Sequence, residues 1–287
     1  MSLAQMKEAP RFRGLIVGHP KAGKTGSLVS LANAGYKVAI LDFDNNPDPL
    51  MAYVKPECRD NVSIVTLEDG LRDDPKFVAV AGEPKAFRRA LQVLDKWVDN
   101  EGTDWGPVKD WDNRYVLAFD SLNGLGRAAF RRTRFVNNRN ILTTRDTDWG
   151  SAMHDQEAMI EKLTSAEFRC NVIGMAHLKM IGPKLERISQ DDDNDVRKAK
   201  AEISRANAEE IPTRWYPSAL GRALPQTIAE HFPSMILAKV DDKTGNRLLY
   251  TKPFDGLDLG VPAQGLPASL PVESGMATIF AAIRQEH

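Results

Sequence analysis

The sequence predicts an α/β fold in which a mostly parallel sheet carries helices on both faces. Short apolar segments alternate along the chain with longer segments whose apolar residues recur at helical spacing. The short segments are apolar at consecutive positions, which is typical of strands buried on both faces. Their alternation with helices favours a parallel sheet, because parallel strands need crossover connections that usually contain a helix.

Four such strands are predicted, at 12–17 (FRGLIV), 37–44 (KVAILDFD), 114–120 (RYVLAFD) and 171–177 (NVIGMAH). Helices are predicted at 25–34, 85–98, 151–167 and 272–286. Two further apolar segments, separated by a turn at 242–246, predict a C-terminal β-hairpin over 234–240 and 247–253.

The chain is predicted to be one domain. Its 287 residues, 42% hydrophobic and 27% charged, suit one large α/β domain or two small ones, and no internal repeat favours the second. We expect an N-terminal tail over 1–11 and a single domain over 12–287. Within that domain, 178–220 is a polar loop or helical excursion, because 186–210 has hardly any apolar stripe, and 254–287 is a C-terminal extension.

Composition narrows the classes of protein. A net charge of −1 gives no general argument for nucleic-acid binding, although a local basic patch could exist. Cys58 and Cys170 have no metal-ligand spacing, which is typical of a reduced cytoplasmic protein. No apolar run approaches the ~20 residues of a membrane span. The first residues also lack the apolar core of a signal peptide, so we expect a cytoplasmic protein without a membrane partner.

The connection between the first strand and the first helix has the spacing G-x-x-x-x-G-K-[ST]. It comprises Gly18, His19, Pro20, Lys21, Ala22, Gly23, Lys24 and Thr25, with Gly26 following. Glycines let the backbone wrap a phosphate with its N–H groups, and the helix adds its positive N-terminus. In such a loop Lys24 reaches the β- and γ-phosphates and Thr25 binds Mg²⁺. Because a strand precedes it and a helix follows, we interpret it as a phosphate loop and not as a glycine turn with a surface lysine.

Three more candidate site residues follow the other strands. Asp120 ends the third strand and is the candidate for holding the metal's water shell; the alternative is that it caps the next turn. Asp42 and Asp44 end the second strand and are expected to point the same way. We choose Asp44 as the base that activates water and expect Asp42 to be structural; the alternative is that both belong to the turn.

His177 ends the fourth strand, at the sheet edge where ligands bind in this topology. A neutral imidazole there could donate a hydrogen bond to the γ-phosphate and sense its loss. A purely structural histidine is an equally open alternative.

These segments together resemble a RecA-type ATPase over roughly residues 12–255. In "VAILDFDNNPDP", Asp44 falls on the acidic residue that activates water in RecA proteins, and "YVLAFDS" resembles their metal-binding strand. "NVIGMAH" resembles the strand that ends in a γ-phosphate sensor, usually glutamine. A histidine at that position resembles small bacteriophage RecA-like ATPases linked to single-strand annealing and recombination, in which this strand also ends in "AH". The resemblance implies a RecA-like P-loop NTPase core, ATP and Mg²⁺ as cofactors, DNA-stimulated hydrolysis and, for a phage protein, the host cytoplasm.

The resemblance also implies a surface for single-stranded DNA. The two loops that touch DNA in RecA-like proteins correspond here to 121–145 and 178–220. The first holds six arginines and no acid, which suits phosphate contact and otherwise leaves a solvated helix face. The candidate DNA-binding residues are Arg127, Arg131, Arg132, Arg134 and Lys179. Trp215 and Tyr216 are expected to pack against the core.

Subunits of such proteins often share a nucleotide, with a cation supplied by the neighbour. Arg222, Arg247 and Lys252 are candidates for that trans-acting cation. The implied partners are single-stranded DNA, further copies of the chain in a ring or filament, and a phage single-strand-binding or replication protein. Two other classes stay open: a P-loop accessory ATPase, such as a helicase loader or partition-type switch, that controls a protein partner, and a small-molecule kinase.

Overall fold

The computed structural model describes residues 11–74, 77–139, 141–182, 193–210, 214–254 and 256–285. The strands in this part of the chain are β1 Arg13–Val17, β2 Lys37–Asp42, β3 Val62–Thr66, β4 Leu71–Asp74, β5 Phe77–Val80, β6 Trp97–Val98, β7 Asp104–Gly106, β8 Tyr115–Asp120, β9 Asn171–Ala176, β10 Leu178–Ile181, β11 Arg214–Pro217, β12 Ser234–Val240, β13 Arg247–Tyr250 and β14 Ser269–Pro271. The helices are α1 Val29–Asn33, preceded by a 3-10 turn Thr25–Leu28, α2 Asp48–Tyr53, α3 Ala86–Asp95, α4 Leu122–Val136, α5 Asp146–Thr164, α6 Asn194–Glu210, α7 Leu224–Thr227 and α8 Val272–Gln285.

Eight of these strands form one sheet in the order β14-β13-β12-β1-β9-β8-β2-β3. The pairs from β12 to β3 are all parallel, whereas β13 is antiparallel to both β12 and β14. The four strands predicted first along the chain are β1, β2, β8 and β9, and the predicted hairpin is β12–β13. The predicted fold class, α/β with a mostly parallel sheet, helices on both faces and a C-terminal β-hairpin, is therefore confirmed.

The strand residues alternate between two apolar cores. Leu15, Leu117 and Phe119 pack into the core that α3, α4 and α5 cover. Ile16 and Ala118, the next residues along the same strands, pack into the other core, under α1, α2 and α8. Helices on both faces explain why the strands are apolar at consecutive positions.

Several boundaries differ from the prediction for local reasons. Helix α3 ends at Asp95, because Trp97 is buried in β6 and its Nε1 donates to Ser63 Oγ at 2.8 Å. Helix α5 begins earlier than predicted, since the Asp148 carboxylate accepts from the Arg145 backbone N–H at 2.8 Å and caps the first turn.

The two predicted DNA-contact segments contain regular structure. Most of 121–145 is helix α4, so a loop over that whole segment is wrong; Ser121 starts the helix by accepting from Gly124 N at 3.3 Å. The excursion 178–220 contains the ribbon β10–β11 and helix α6, while 183–192 and 211–213 lie outside the described residues. Of the helices in the described ranges, none is long and apolar enough to cross a bilayer.

Candidate nucleotide site

The parallel register brings the ends of four strands to one edge of the sheet. Val17 pairs with Ala176, so the predicted phosphate loop and His177 both leave the sheet there. Asp120, the last residue of β8, pairs with Asp42, the last residue of β2, at the same edge. Polar residues that lie far apart in sequence thus meet where a parallel sheet commonly binds ligands.

The conformation of the phosphate loop requires glycine at two positions. A Cβ at Gly18 would overlap the carbonyl oxygen of Ala238. Gly23 has φ of +96°, and a Cβ there would lie 2.9 Å from Arg247 Cδ. Strand β12 and the start of β13 therefore pack closely against the loop, which leaves room for backbone only.

Lys24 is held inside this loop. Its Nζ donates to the carbonyl oxygens of Gly18 at 3.1 Å and His19 at 3.0 Å, and it lies 3.2 Å from His177 Nδ1. Burial lowers the pKa of Lys24, while the charges of Asp120 and Asp44 oppose that shift. A phosphate oxygen is a stronger acceptor than a carbonyl, so the ammonium is placed to exchange these contacts for a phosphate.

Thr25 and Asp120 are in direct contact: Thr25 Oγ1 donates to Asp120 Oδ2 at 2.5 Å. Burial raises the pKa of Asp120 to about 6, with the Thr25 hydrogen bond opposing, the nearby charges of Asp44 and Asp42 adding, and Lys24 opposing. A hydroxyl beside a buried carboxylate that lacks a fully compensating cation fits Mg²⁺, which prefers oxygen ligands and completes its shell with water and phosphate. These two residues therefore form the candidate metal site. Within the described residues, no group of three or more His, Cys, Asp or Glu side chains could hold a metal ion.

Both carboxylate oxygens of Asp42 accept hydrogen bonds from the turn that follows it. Its Oδ1 accepts from the backbone N–H of Asp44 at 3.0 Å and its Oδ2 from that of Asn46 at 3.1 Å. Burial raises the pKa of Asp42, and these backbone hydrogen bonds oppose the shift. Its geometry agrees with the structural role expected for it.

The Asp44 carboxylate has other partners than the Asp42 carboxylate. Asp42 and Asp44 were expected to point the same way because alternate residues of a strand share a face. Strand β2 ends at Asp42, so this expectation does not apply to Asp44. Ser121 Oγ donates to Asp44 Oδ2 at 2.6 Å, and Arg127 Nη2 donates to Oδ1 at 2.6 Å. The carboxylate therefore lies beside the end of β8 and the start of α4.

His177 touches Lys24 through its ring and α4 through its backbone. An ammonium only donates, so Nδ1 accepts and the imidazole is neutral. Burial, then the charge of Lys24, lower the pKa of His177, with Asp44 opposing, which keeps the ring neutral at pH 7. The His177 backbone N–H donates to Asn123 Oδ1 at 3.3 Å.

Three residues that were not predicted as site residues lie here: Ser121, Asn123 and Trp215, the last of which was expected only to pack against the core. The Asn123 amide also donates to Ser218 Oγ at 2.7 Å, which ties α4 to the end of β11. Trp215 packs against the core, as expected, and its ring meets that of His19 edge-on at 5.4 Å. Only Ser121 and Asn123 had a local signal, since both directly follow the strand that ends in Asp120.

Four of the six arginines of 121–145 form ion pairs with acids from other elements. They pair as Arg127–Asp44 at 2.6 Å, Arg131–Asp69 at 3.5 Å, Arg132–Asp155 at 2.7 Å and Arg139–Asp148 at 2.8 Å. The guanidinium of Arg134 lies 5.0 Å from the centre of the Phe130 ring. The premise that these cations lack compensating charges is therefore wrong for four of the six arginines, and three of the four acids lie outside the stretch around 121–145 in sequence: Asp44, Asp69 and Asp155.

The remaining candidates contact their own chain. Lys179 Nζ donates to Gly221 O at 3.1 Å, and Arg222 donates to Gly182 O at 2.6 Å. Arg247 Nε donates to Lys21 O at 3.2 Å, within the phosphate loop of the same chain. Lys252 is exposed just after β13. A trans-acting role for any of the three predicted cations stays a prediction.

No protein-family model matches the chain, and no curated protein does. Among solved structures the chain is similar to that of the RadB recombinase, with 15% sequence identity over 86% of this chain and 84% of that chain. The TM-score of that match is 0.39. A likeness at this level carries no argument about activity, which has to come from the site itself.

Proposed function

We propose that the protein is a Mg²⁺-dependent, RecA-like ATPase that acts on single-stranded DNA in phage recombination, annealing or replication. The observation that carries the ATPase part is the position of Lys24, whose ammonium is held by loop carbonyls beside the Thr25–Asp120 contact. A positive charge, backbone N–H groups and a hydroxyl–carboxylate pair at one sheet edge are the parts that triphosphate hydrolysis requires.

Each side chain has a defined task in this proposal. The loop and Lys24 bind the β- and γ-phosphates, and Thr25 and Asp120 hold the cation. Bound Mg²⁺ would supply positive charge that stabilises the phosphoryl oxygens. Asp44 accepts a proton from the attacking water, and the neutral His177 ring donates a hydrogen bond to the γ-phosphate from Nε2.

The DNA part of the proposal is supported by the cationic face of α4. Arg131 and Arg132 remain about one-third exposed on their side chains despite their ion pairs. Arg132 and Asp155 are both partly exposed, and such a surface pair contributes little to stability, so a polyanion can compete for the Arg132 guanidinium. The pair of Arg131 with Asp69 is different, because the Asp69 side chain is only 1% exposed.

The accessory ATPase is the second candidate, and one observation favours it. Large apolar side chains are exposed where α4 ends and α5 begins: Phe135, Val136, Ile141, Leu142 and Trp149. Clustered exposed apolar side chains are typical of protein-binding surfaces.

One experiment separates these candidates. Phosphate release from ATP is measured with Mg²⁺, with excess chelator, and with single-stranded oligonucleotide. We expect turnover that requires Mg²⁺ and rises with the oligonucleotide. Turnover that is the same with and without the oligonucleotide favours the accessory ATPase. No turnover with Mg²⁺, whether or not the oligonucleotide is present, contradicts the ATPase proposal.

A further inference from the structure

Both carboxylate oxygens of Asp44 are held by side chains from the segment after β8. Ser121, which caps α4, donates to Oδ2 at 2.6 Å, and Arg127, in the second turn of α4, donates to Oδ1 at 2.6 Å. Gly124 lies between them in sequence, and a Cβ there would overlap Phe43 and lie 3.0 Å from Asp44 Oδ1. The absence of a side chain at Gly124 thus allows α4 to approach Asp44.

This arrangement fixes the carboxylate without using up its acceptors. An ionised carboxylate has about four acceptor positions, and the two hydrogen bonds occupy one on each oxygen. Positions remain on both oxygens for water. The Asp44 side chain is 24% exposed, so water reaches it, while the Arg127 side chain is 55% exposed.

We infer that Arg127 is a positioning residue for hydrolysis, which orients Asp44 toward the attacking water. This inference rests on the proposed ATPase function and on Asp44 as its base. It gives Arg127, which was predicted as a DNA-binding residue, a role in hydrolysis through its contact with Asp44. Ser121 alone leaves the carboxylate free to rotate about a single contact, whereas two contacts from different turns fix the plane of the carboxylate.

The test compares Arg127→Ala and Arg127→Lys with the wild type, without DNA. We expect kcat to fall by about 10–100-fold in Arg127→Ala, because a small misplacement of a reacting group carries a cost of that order. The KM for ATP should stay within about twofold, since Arg127 does not touch the phosphate loop. Lysine keeps one donating cation, so Arg127→Lys should recover part of kcat.

Arg88→Ala is the matched control, because Arg88 also forms a surface ion pair, with Glu83 at 2.8 Å, and its side chain is 58% exposed. It should hydrolyse ATP like the wild type. Wild-type or raised kcat in Arg127→Ala overturns the positioning role while leaving the proposed function intact. An equal loss in the Arg88 control, or no rescue by lysine, also overturns it. If the wild type has no turnover, the proposed function fails and this role fails with it.

Discussion

Lys24 shows how one residue connects the fold to the chemistry. Its ammonium is buried without an ion pair in contact, and carbonyl oxygens of its own loop accept its hydrogen bonds. The ammonium would form stronger hydrogen bonds with an anion than with these neutral carbonyl oxygens.

Lys24→Ala should therefore abolish ATP hydrolysis, because the charge that meets the β- and γ-phosphates is lost. Lys243→Ala, which removes an exposed lysine from the turn after β12, should hydrolyse at the wild-type rate. Phosphate release by both variants, with circular dichroism as a check on folding, is the measurement. Normal turnover by Lys24→Ala contradicts the assignment of the phosphate loop.

The two carboxylates after β2 differ in what they hold, so their variants should differ too. Asp44→Asn should still bind ATP but lose roughly 10²–10⁴-fold in turnover, as expected when a general base is removed. Asp42→Asn changes a group that accepts only backbone hydrogen bonds in its turn, so we expect a smaller loss of turnover. Nucleotide affinity and kcat are measured for both. An inactive Asp42 variant beside an active Asp44 variant would reverse the assignment.

At the scale of the elements, strands were easier to predict than the contacts between them. Strands β1, β2, β8 and β9 follow from their apolar runs, and the site residues at their ends follow from the parallel arrangement. The acidic partners of the α4 arginines could not be predicted from such patterns, because Asp44, Asp69 and Asp155 lie 23 or more residues away in sequence. The ribbon β6–β7 is also absent from the prediction, since Trp97 fits the apolar period of α3.

The cationic face of α4 carries the prediction about DNA. Replacing Arg131, Arg132 and Arg134 together with alanine should weaken binding of single-stranded DNA and flatten its dependence on salt. Each lost phosphate contact removes about 0.7 from the log–log slope for a single strand. ATP affinity should survive, because these residues lie beyond the contacts of the phosphate loop.

The measurement is a salt titration of labelled oligonucleotide binding, with ATP affinity alongside. The matched control replaces Arg88, Lys96 and Arg114, three exposed cations that also form surface ion pairs. It should bind DNA like the wild type. If both triple variants lose the same affinity and slope, the effect is one of net charge, and α4 has no specific part in DNA binding.

At the scale of the whole molecule, the C-terminal segments are integral to the core that supports the phosphate loop. Met276, Ile279 and Phe280 of α8 are buried against the same face as α1. The Ala277 backbone N–H donates to Ser30 Oγ at 3.2 Å, and a Cβ at Gly23 would touch Val272 at 3.3 Å. The site therefore depends on chain segments from both ends of the sequence, and we expect the protonation of its buried carboxylate to be coupled to the stability of the folded protein.

The buried Asp120 should make that coupling measurable. Its pKa is raised to about 6 in the folded protein, mainly by burial, from 3.8. Between pH 4 and pH 6 the folded state holds a proton that the unfolded state has lost, so the free energy of unfolding falls as pH rises through this window. The shift limits the loss to about 3 kcal/mol. Asp148, whose pKa is lowered to about 2, acts with the opposite sign and only below about pH 4.

Asp120→Asn removes this titration and keeps the shape of the side chain. Urea unfolding of both proteins at pH 4, 5, 6 and 7, without Mg²⁺ or nucleotide, gives the difference in their free energies of unfolding. We expect the wild type to lose stability relative to the variant as pH rises, with most of the change between pH 4 and pH 6. Parallel curves would show that the pKa of Asp120 is the same in the folded and the unfolded protein. Excess Mg²⁺ and ATP should reduce the difference, because a cation beside Asp120 favours its ionised form and binds only the folded protein.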